Sequence, residues 1–171
     1  MSLPKKLKLM DLFNEGNSYL GQTGEVTLPK LGRKFEDWRG GGMNGNIKWD
    51  AGLADDITEF SWKLGGIDPL VIRQFGAATV GAIGLRFAGS YQRDDTGETS
   101  AVEVVVRGRH EEIDFGTSKP GDDTEKSIKT IWSYYKLTID GKVEIEIDIP
   151  GLIENVNGVD LLEKHRANIG H

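Results

Sequence analysis

The run Ser127-Ile-Lys-Thr-Ile-Trp-Ser-Tyr-Tyr-Lys-Leu-Thr-Ile139, followed by Asp140-Gly141 and then Lys142-Val-Glu-Ile-Glu-Ile-Asp-Ile149, decides how the rest of the chain is read. Both flanks are rich in β-branched and aromatic residues, and an Asp-Gly pair between such flanks supplies the positive φ angles of a tight turn. Two long antiparallel strands are therefore expected, Ser127–Ile139 and Lys142–Ile149. In the second, Val143, Ile145, Ile147 and Ile149 alternate with Glu144, Glu146 and Asp148. Side chains along a strand alternate between faces, so this pattern predicts one apolar and one anionic face.

A chain of 171 residues fits one domain around one core. Its formal net charge of −6 argues against binding nucleic acid by bulk attraction, which needs clustered Lys and Arg. Lys5, Lys6 and Lys8 are too few to reverse that balance. The absence of cysteine excludes disulfides, thiolate metal sites and cysteine nucleophiles, and suits a reducing compartment. No apolar run approaches the roughly 20 residues of a membrane span, and the N-terminus lacks an apolar signal core, so a soluble chain without a membrane anchor is expected. Met1-Ser2-Leu3 and His171 read as possible expression remnants and carry no structural expectation.

The 23 glycines punctuate short β-prone runs without forming a repeat, which suits a mainly β body of the sandwich or barrel type. Further strands are expected near Ser18–Leu20, Gly24–Pro29, Thr58–Leu64, Ala82–Tyr91 and Ser100–Arg109, with an exposed tip between Tyr91 and Ser100. Asp68-Pro69 has the form of an N-cap followed by proline at the first helical position, and Leu70, Val71, Ile72, Phe75 and Ala78 extend it as a short internal helix before Gly81. Asp160 and Glu163 are spaced as a capping box for a small C-terminal helix that Gly170 can close. The stretch from Glu36 to Asp56 fits neither pattern and is expected to be a long interaction loop. Its Trp38, Met43 and Trp49 are costly to leave in water, which points to ordering against a partner or folding over its own core.

Enzyme motifs do not survive inspection. Gly40, Gly42 and Gly45 have dinucleotide-binding spacing, but no helical period follows them, and the Lys-Ser or Lys-Thr of a phosphate-binding loop is missing. His110-Glu111-Glu112 begins like a zinc-protease helix, yet position 114 holds aspartate instead of the second histidine, and the preceding run is a strand. The acidic pairs Asp55-Asp56, Asp94-Asp95, Glu111-Glu112 and Asp122-Asp123 lack calcium-loop spacing. No catalytic residues, cofactor or metal ligands are expected.

Four strings give the chain a recognisable relationship. Val26-Thr-Leu-Pro-Lys-Leu31, Arg39-Gly-Gly-Gly-Met-Asn-Gly45, Arg86-Phe-Ala-Gly-Ser-Tyr-Gln-Arg-Asp-Asp-Thr-Gly-Glu-Thr99 and Val156-Asn-Gly-Val-Asp160 resemble the major tail tube protein (FII family) of temperate phages with contractile tails. The similarity runs from about Leu7 to Gly170 and departs mainly at Thr79–Gly84 and within Gly116–Lys126. The resemblance implies a structural virion protein: hexameric rings of β-sandwich subunits stacked into the inner tube of a contractile tail, the conduit for DNA ejection. The partners so implied are the chain itself, the tail sheath, initiator or baseplate and terminator proteins, and a tape measure protein in the lumen. DNA would pass without sticking. Assembly would take place in the bacterial cytoplasm, and the finished location is the virion tail. The resemblance also admits a genome-free tailocin or related injection system, and outside that class a monomeric β-sandwich ligand-binding module remains an alternative.

Two sets of residues carry the expected assembly. Arg39, Gly40, Gly41, Gly42, Met43, Asn44, Gly45, Trp49 and Leu53 are candidates for contact with an adjacent ring. Glu103, Glu144, Glu146 and Asp148 are candidates for an acidic lumen that repels phosphate, although the same alternation suits an outer solvated face.

Overall fold

The computed structural model describes residues Met1–His171. The expected turn is present: β9 (Lys126–Ile139) and β10 (Lys142–Asp148) pair antiparallel across Asp140 and Gly141, whose φ angles of 50° and 82° are both positive. Around this hairpin lies one branched antiparallel sheet. From β9 it runs through β8 (Thr99–Asp114), β7 (Ile83–Arg93) and β1 (Lys5–Asn14) to the two-residue β2 (Asn17–Ser18). On its other side β9 is shared. Its first half pairs with β6 (Glu59–Leu64), which carries β3 (Thr23–Thr27), and its second half pairs with β10, then β11 (Ile153–Val156) and β12 (Val159–Asp160). A separate hairpin, β4 (Arg33–Trp38) with β5 (Ile47–Leu53), bonds to no other strand.

One core fills the curl of this sheet. Leu12, Leu85, Phe87, Val104 and Val106 from the long strands meet Phe60, Trp62 and Ile128 from the β6 side, all nearly or fully buried. The sheet is drawn round on itself by Tyr19, whose ring stacks on Trp62 with centroids 5.6 Å apart. Backbone bonds from Tyr19 N to Leu12 O and from Thr23 N to Tyr19 O connect the two sides. The strand expected over Ser18–Leu20 therefore stops at Ser18, because Tyr19 leaves the sheet edge for the core.

Three further expectations are corrected. The Glu36–Asp56 stretch is no loop: most of it lies in β4, β5 and a 3-10 turn at Asp55–Thr58, and only residues 39–46 form a tip. The internal helix α1 (Pro69–Gln74) begins as expected, with Asp68 accepting from Leu70 N, but stops before Phe75 and Ala78, just ahead of Gly76. The C-terminal helix α2 (Glu163–Asn168) ends before Gly170 at φ 87°, yet it starts without a side-chain cap. Asp160 lies on β12 instead. There it accepts from Leu162 N and pairs with Arg166, whose hydrogen bond holds the Asp160 carboxyl below the usual carboxylate range.

Helix α1 is fixed to the core through polar groups as well as Val71. Asn14 and Gln74 exchange two 2.7 Å amide bonds, Asn14 also donates to the Tyr19 hydroxyl, and that hydroxyl donates to Asp68. Gln74 Oε1 lies 3.0 Å from His110 Nε2, while His110 Nδ1 lies 2.9 Å from Thr130 Oγ1, itself the acceptor of the Trp62 indole. A single assignment satisfies the chain: Thr130 donates to Nδ1, and a neutral His110 donates from Nε2 to Gln74. Burial pushes the His110 imidazole down from 6.5 to about 4. Between those values the unfolded chain binds the extra proton, so stability is full above the ordinary histidine range and falls as pH drops toward the folded value. The loss across that window is about 3 kcal/mol. Urea midpoints of the subunit are expected to fall between about pH 7 and about pH 5, where most carboxylates remain ionised. His110→Gln is expected to start lower and lose much of that slope. Parallel slopes for the two proteins would show that His110 does not carry the dependence.

Candidate assembly surfaces

The β4–β5 hairpin stands on a bulge and an ion pair. Register slips between Arg33 opposite Leu53 and Phe35 opposite Asp50, leaving an extra residue on β5, where Gly52 takes φ 107°. Arg33 reaches Asp50 at 3.1 Å and also pairs with the buried Glu154 of β11, which secures the hairpin root to the main sheet. Removing Arg33 would leave Glu154 buried without its cation, the costly way to break such a pair. Leu53 packs beneath this root against the core, so of the residues expected to meet a partner it is an anchor.

Cross-strand register sorts the remaining side chains. Glu36 faces Trp49 and Trp38 faces Ile47, so one face gathers both indoles and an isoleucine. Trp38, Ile47 and Trp49 are 59%, 55% and 52% exposed. The other face is polar apart from Phe35 and includes the Asp37–Lys48 pair at 3.4 Å. At the tip, Met43 N donates to Gly40 O, Gly40 N donates to Met43 Sδ at 3.0 Å, and Arg39 Nε donates to Met43 O. Gly42 supplies the positive φ of this turn, 82°. Gly41, Asn44 and Gly45 lie exposed around it. A two-stranded ribbon is marginal by itself in water, and this one presents an aromatic face to solvent.

The acids of the central sheet have a different setting from the one the sequence suggested. Across β10, β9, β8, β7 and β1 one row on the face away from the core reads Glu146, Lys136, Val105, Arg86, Phe13. A second reads Asp148, Tyr134, Arg107, Gly84, and a third Thr138, Glu103, Ala88, Asp11. Glu103, Glu146 and Asp148 therefore share a face, with Arg86 3.4 Å from Glu103 and 4.2 Å over the Phe13 ring. Burial raises the Tyr134 phenol, and the neighbouring Glu146 and Asp148 raise it further. Glu144 departs from the pattern. Thr138 pairs with Val143 and Leu137 with Ile145, which leaves Glu144 as the extra residue of a bulge. The simple alternation breaks there, and exposed Val143 joins the Thr138 face. The face is mixed: Asp11, Glu103, Glu146 and Asp148 are interleaved with Arg86, Arg107 and Lys136.

The Gly40, Gly42, Gly45 segment leads into strand β5, and His110 is built into the core network. No group of three or more His, Asp or Glu side chains comes together in a metal-holding arrangement, and no helix is long and apolar enough to cross a membrane.

The family model described as phage tail tube protein FII matches residues 4–170. The chain is 57% identical over 171 residues to the tail tube protein of Escherichia phage P2, covering 99% of each. It is 39% identical over 161 residues to the major tail tube protein of Serratia phage KSP20, covering 94% of this chain and 92% of the relative. The similarity spans every strand described above, including β1 and the β4–β5 hairpin, and these relatives are structural virion components with no enzymatic role. The chain belongs to the phage tail tube FII family.

Proposed function

We propose that this chain forms hexameric rings that stack into the inner tube of a contractile tail, through which DNA is ejected into the host. The observation that carries the reading is the open edge of β1. Apart from Phe13 and Asn14, which pair with β2, and Leu12, whose carbonyl accepts from Tyr19 N, the side of this strand turned away from β7 has no strand partner along Lys5 to Asp11. Such an edge invites uncontrolled pairing unless something covers it. A neighbouring subunit covers it, and a rotation that closes into a ring removes every copy of the edge at once.

The stacking contact is assigned to the hairpin tip from Arg39 to Gly45 and to Trp49 beside it. For the lumen the reading uses the face of Glu103, Glu146 and Asp148. Arg86 is paired there with Glu103 at 3.4 Å, and the acids Asp11, Glu103, Glu146 and Asp148 outnumber the bases Arg86, Arg107 and Lys136, so the balance of the face is negative. The sheath, an initiator or baseplate, a terminator and a tape measure protein are the partners that this role requires, and assembly belongs to the host cytoplasm.

Negative-stain images of the chain produced with the remaining tail proteins are expected to show six-fold rings and stacked tubes. Rings of another symmetry would overturn the hexamer. A chain that stays monomeric under those conditions would overturn the tube.

A further inference from the structure

Beyond α1, and far from the hairpin root, the sheet leaves a second apolar surface uncovered. Ile72 and Phe75 from the α1 segment, with Ile113 and Phe115 from the end of β8, line a cleft of about 400 Å³. Ile72, Phe75 and Phe115 are all exposed. A narrow continuation reaches beneath α1 to Leu64, Val71 and Ile128. Glu111 and Glu112 stand at its rim. Glu112 has Lys129 at 3.8 Å, whereas Glu111 makes no ion pair.

We propose that this cleft receives the β4–β5 hairpin of a second copy of the chain in the next ring, an inference that rests on the stacked-tube reading and names the other half of its contact. Three properties match. The hairpin offers what the cleft lacks, an exposed row of Trp38, Ile47 and Trp49 for an uncovered row of aliphatic and phenyl groups. The charges are complementary: Arg39 at the tip is bonded to a backbone carbonyl and has no carboxylate partner, and Glu111 has no cation.

Position supplies the third. The hairpin emerges between β3 and the turn leading into Glu59, at the start of β6, while the cleft lies past Leu64 at its end. Six residues of strand separate the two surfaces, roughly 20 Å. A surface at one end that fits a different surface at the other makes a head-to-tail contact, which repeats without closing. The grooves beside β10 and β11, lined by Leu53, Ile147 and Glu154, adjoin the hairpin's own root. Hairpins docking there would join like ends, a two-fold arrangement that terminates growth.

Because the chain has no cysteine, introduced thiols have only each other to meet. Ile47→Cys combined with Phe75→Cys, assembled with the remaining tail proteins and mildly oxidised, is expected to give a ladder of covalent multimers on a non-reducing gel, with neither single variant giving more than dimer. Arg39→Glu and Glu111→Lys are each expected to shorten tubes about tenfold, and together to restore their length. Tubes that form normally without a ladder, or charge reversals without mutual rescue, overturn the cleft as receiver and leave the tube intact. A wild-type chain that stays monomeric removes the reading beneath both.

Discussion

Gly108→Ala is expected to leave almost no soluble folded subunit. Gly108 lies on β8 where the register with β9 slips, Arg107 opposing Tyr134 and Gly108 opposing Trp132, so Ser133 is an extra residue. The bulge presses the two backbones together. A Cβ at position 108 would sit 1.8 Å from the Ile131 carbonyl oxygen, 2.7 Å from its carbon and 2.8 Å from Trp132 Cα. All three are backbone atoms, and no rotamer change moves them. Relief requires separating β8 from β9 at the seam where buried Trp132 and Val106 pack, forfeiting ladder bonds and core contacts together. The cost is about 4 kcal/mol or more, against a total of about 5–15 for a domain of ordinary stability. Soluble yield and far-UV circular dichroism measure the outcome. Gly45→Ala is the control, since a Cβ there meets nothing within 4 Å and its φ is not positive. A Gly108→Ala protein whose urea midpoint matches that control would refute the clash.

The features legible in the sequence were those whose causes are local. Asp140-Gly141 announces its hairpin because the turn demands positive φ at both positions, and Asp68-Pro69 announces α1 because cap and proline are adjacent. The β4–β5 hairpin was missed for a physical reason: beyond its root at Arg33 and Leu53 neither of its faces is buried by the body, so Arg-Lys-Phe-Glu-Asp-Trp and Ile-Lys-Trp-Asp-Ala-Gly-Leu carry no alternation toward a core. The signal present was cross-strand, aromatic opposite aliphatic at Trp38 and Ile47 and acid opposite base at Asp37 and Lys48, and it emerges only once register is known. In β1, Leu7 and Leu9 flank Lys8, but a bulge at Lys8 and proximity to the terminus hid a strand that proves to form most of one sheet margin. The acidic ribbon was half legible. Residue types placed Glu146 and Asp148 on one face, while the bulge at Glu144 and the bases opposite them depend on β8 and β9. The network joining Asn14, Gln74, His110 and Thr130 spans most of the chain and leaves no local trace.

Replacing both Trp38 and Trp49 by serine is expected to abolish tube growth while leaving the subunit folded. Both indoles are more than half exposed and add little to the subunit's own core, so its unfolding free energy is expected to shift by no more than about 0.5 kcal/mol, read from urea titration. In the assembly they are the largest apolar side chains on the hairpin, and a buried interface tryptophan contributes about 2 kcal/mol or more. In the proposed ring the contact occurs once per subunit, so the loss multiplies around it and growth stops instead of slowing. Removing Gly40–Gly45 separates the tip from this face. Trp38 and Ile47 are the last paired residues, and the deletion would leave Arg39 and Asn46 to join them, a two-residue connection of the length hairpins favour. If the indole face carries the contact, the deletion shortens tubes and the serine pair eliminates them. If the tip carries it, the order reverses. Tube lengths from electron micrographs of the two variants assembled beside the wild type decide between these, and long tubes from both would show that the hairpin is not a stacking element.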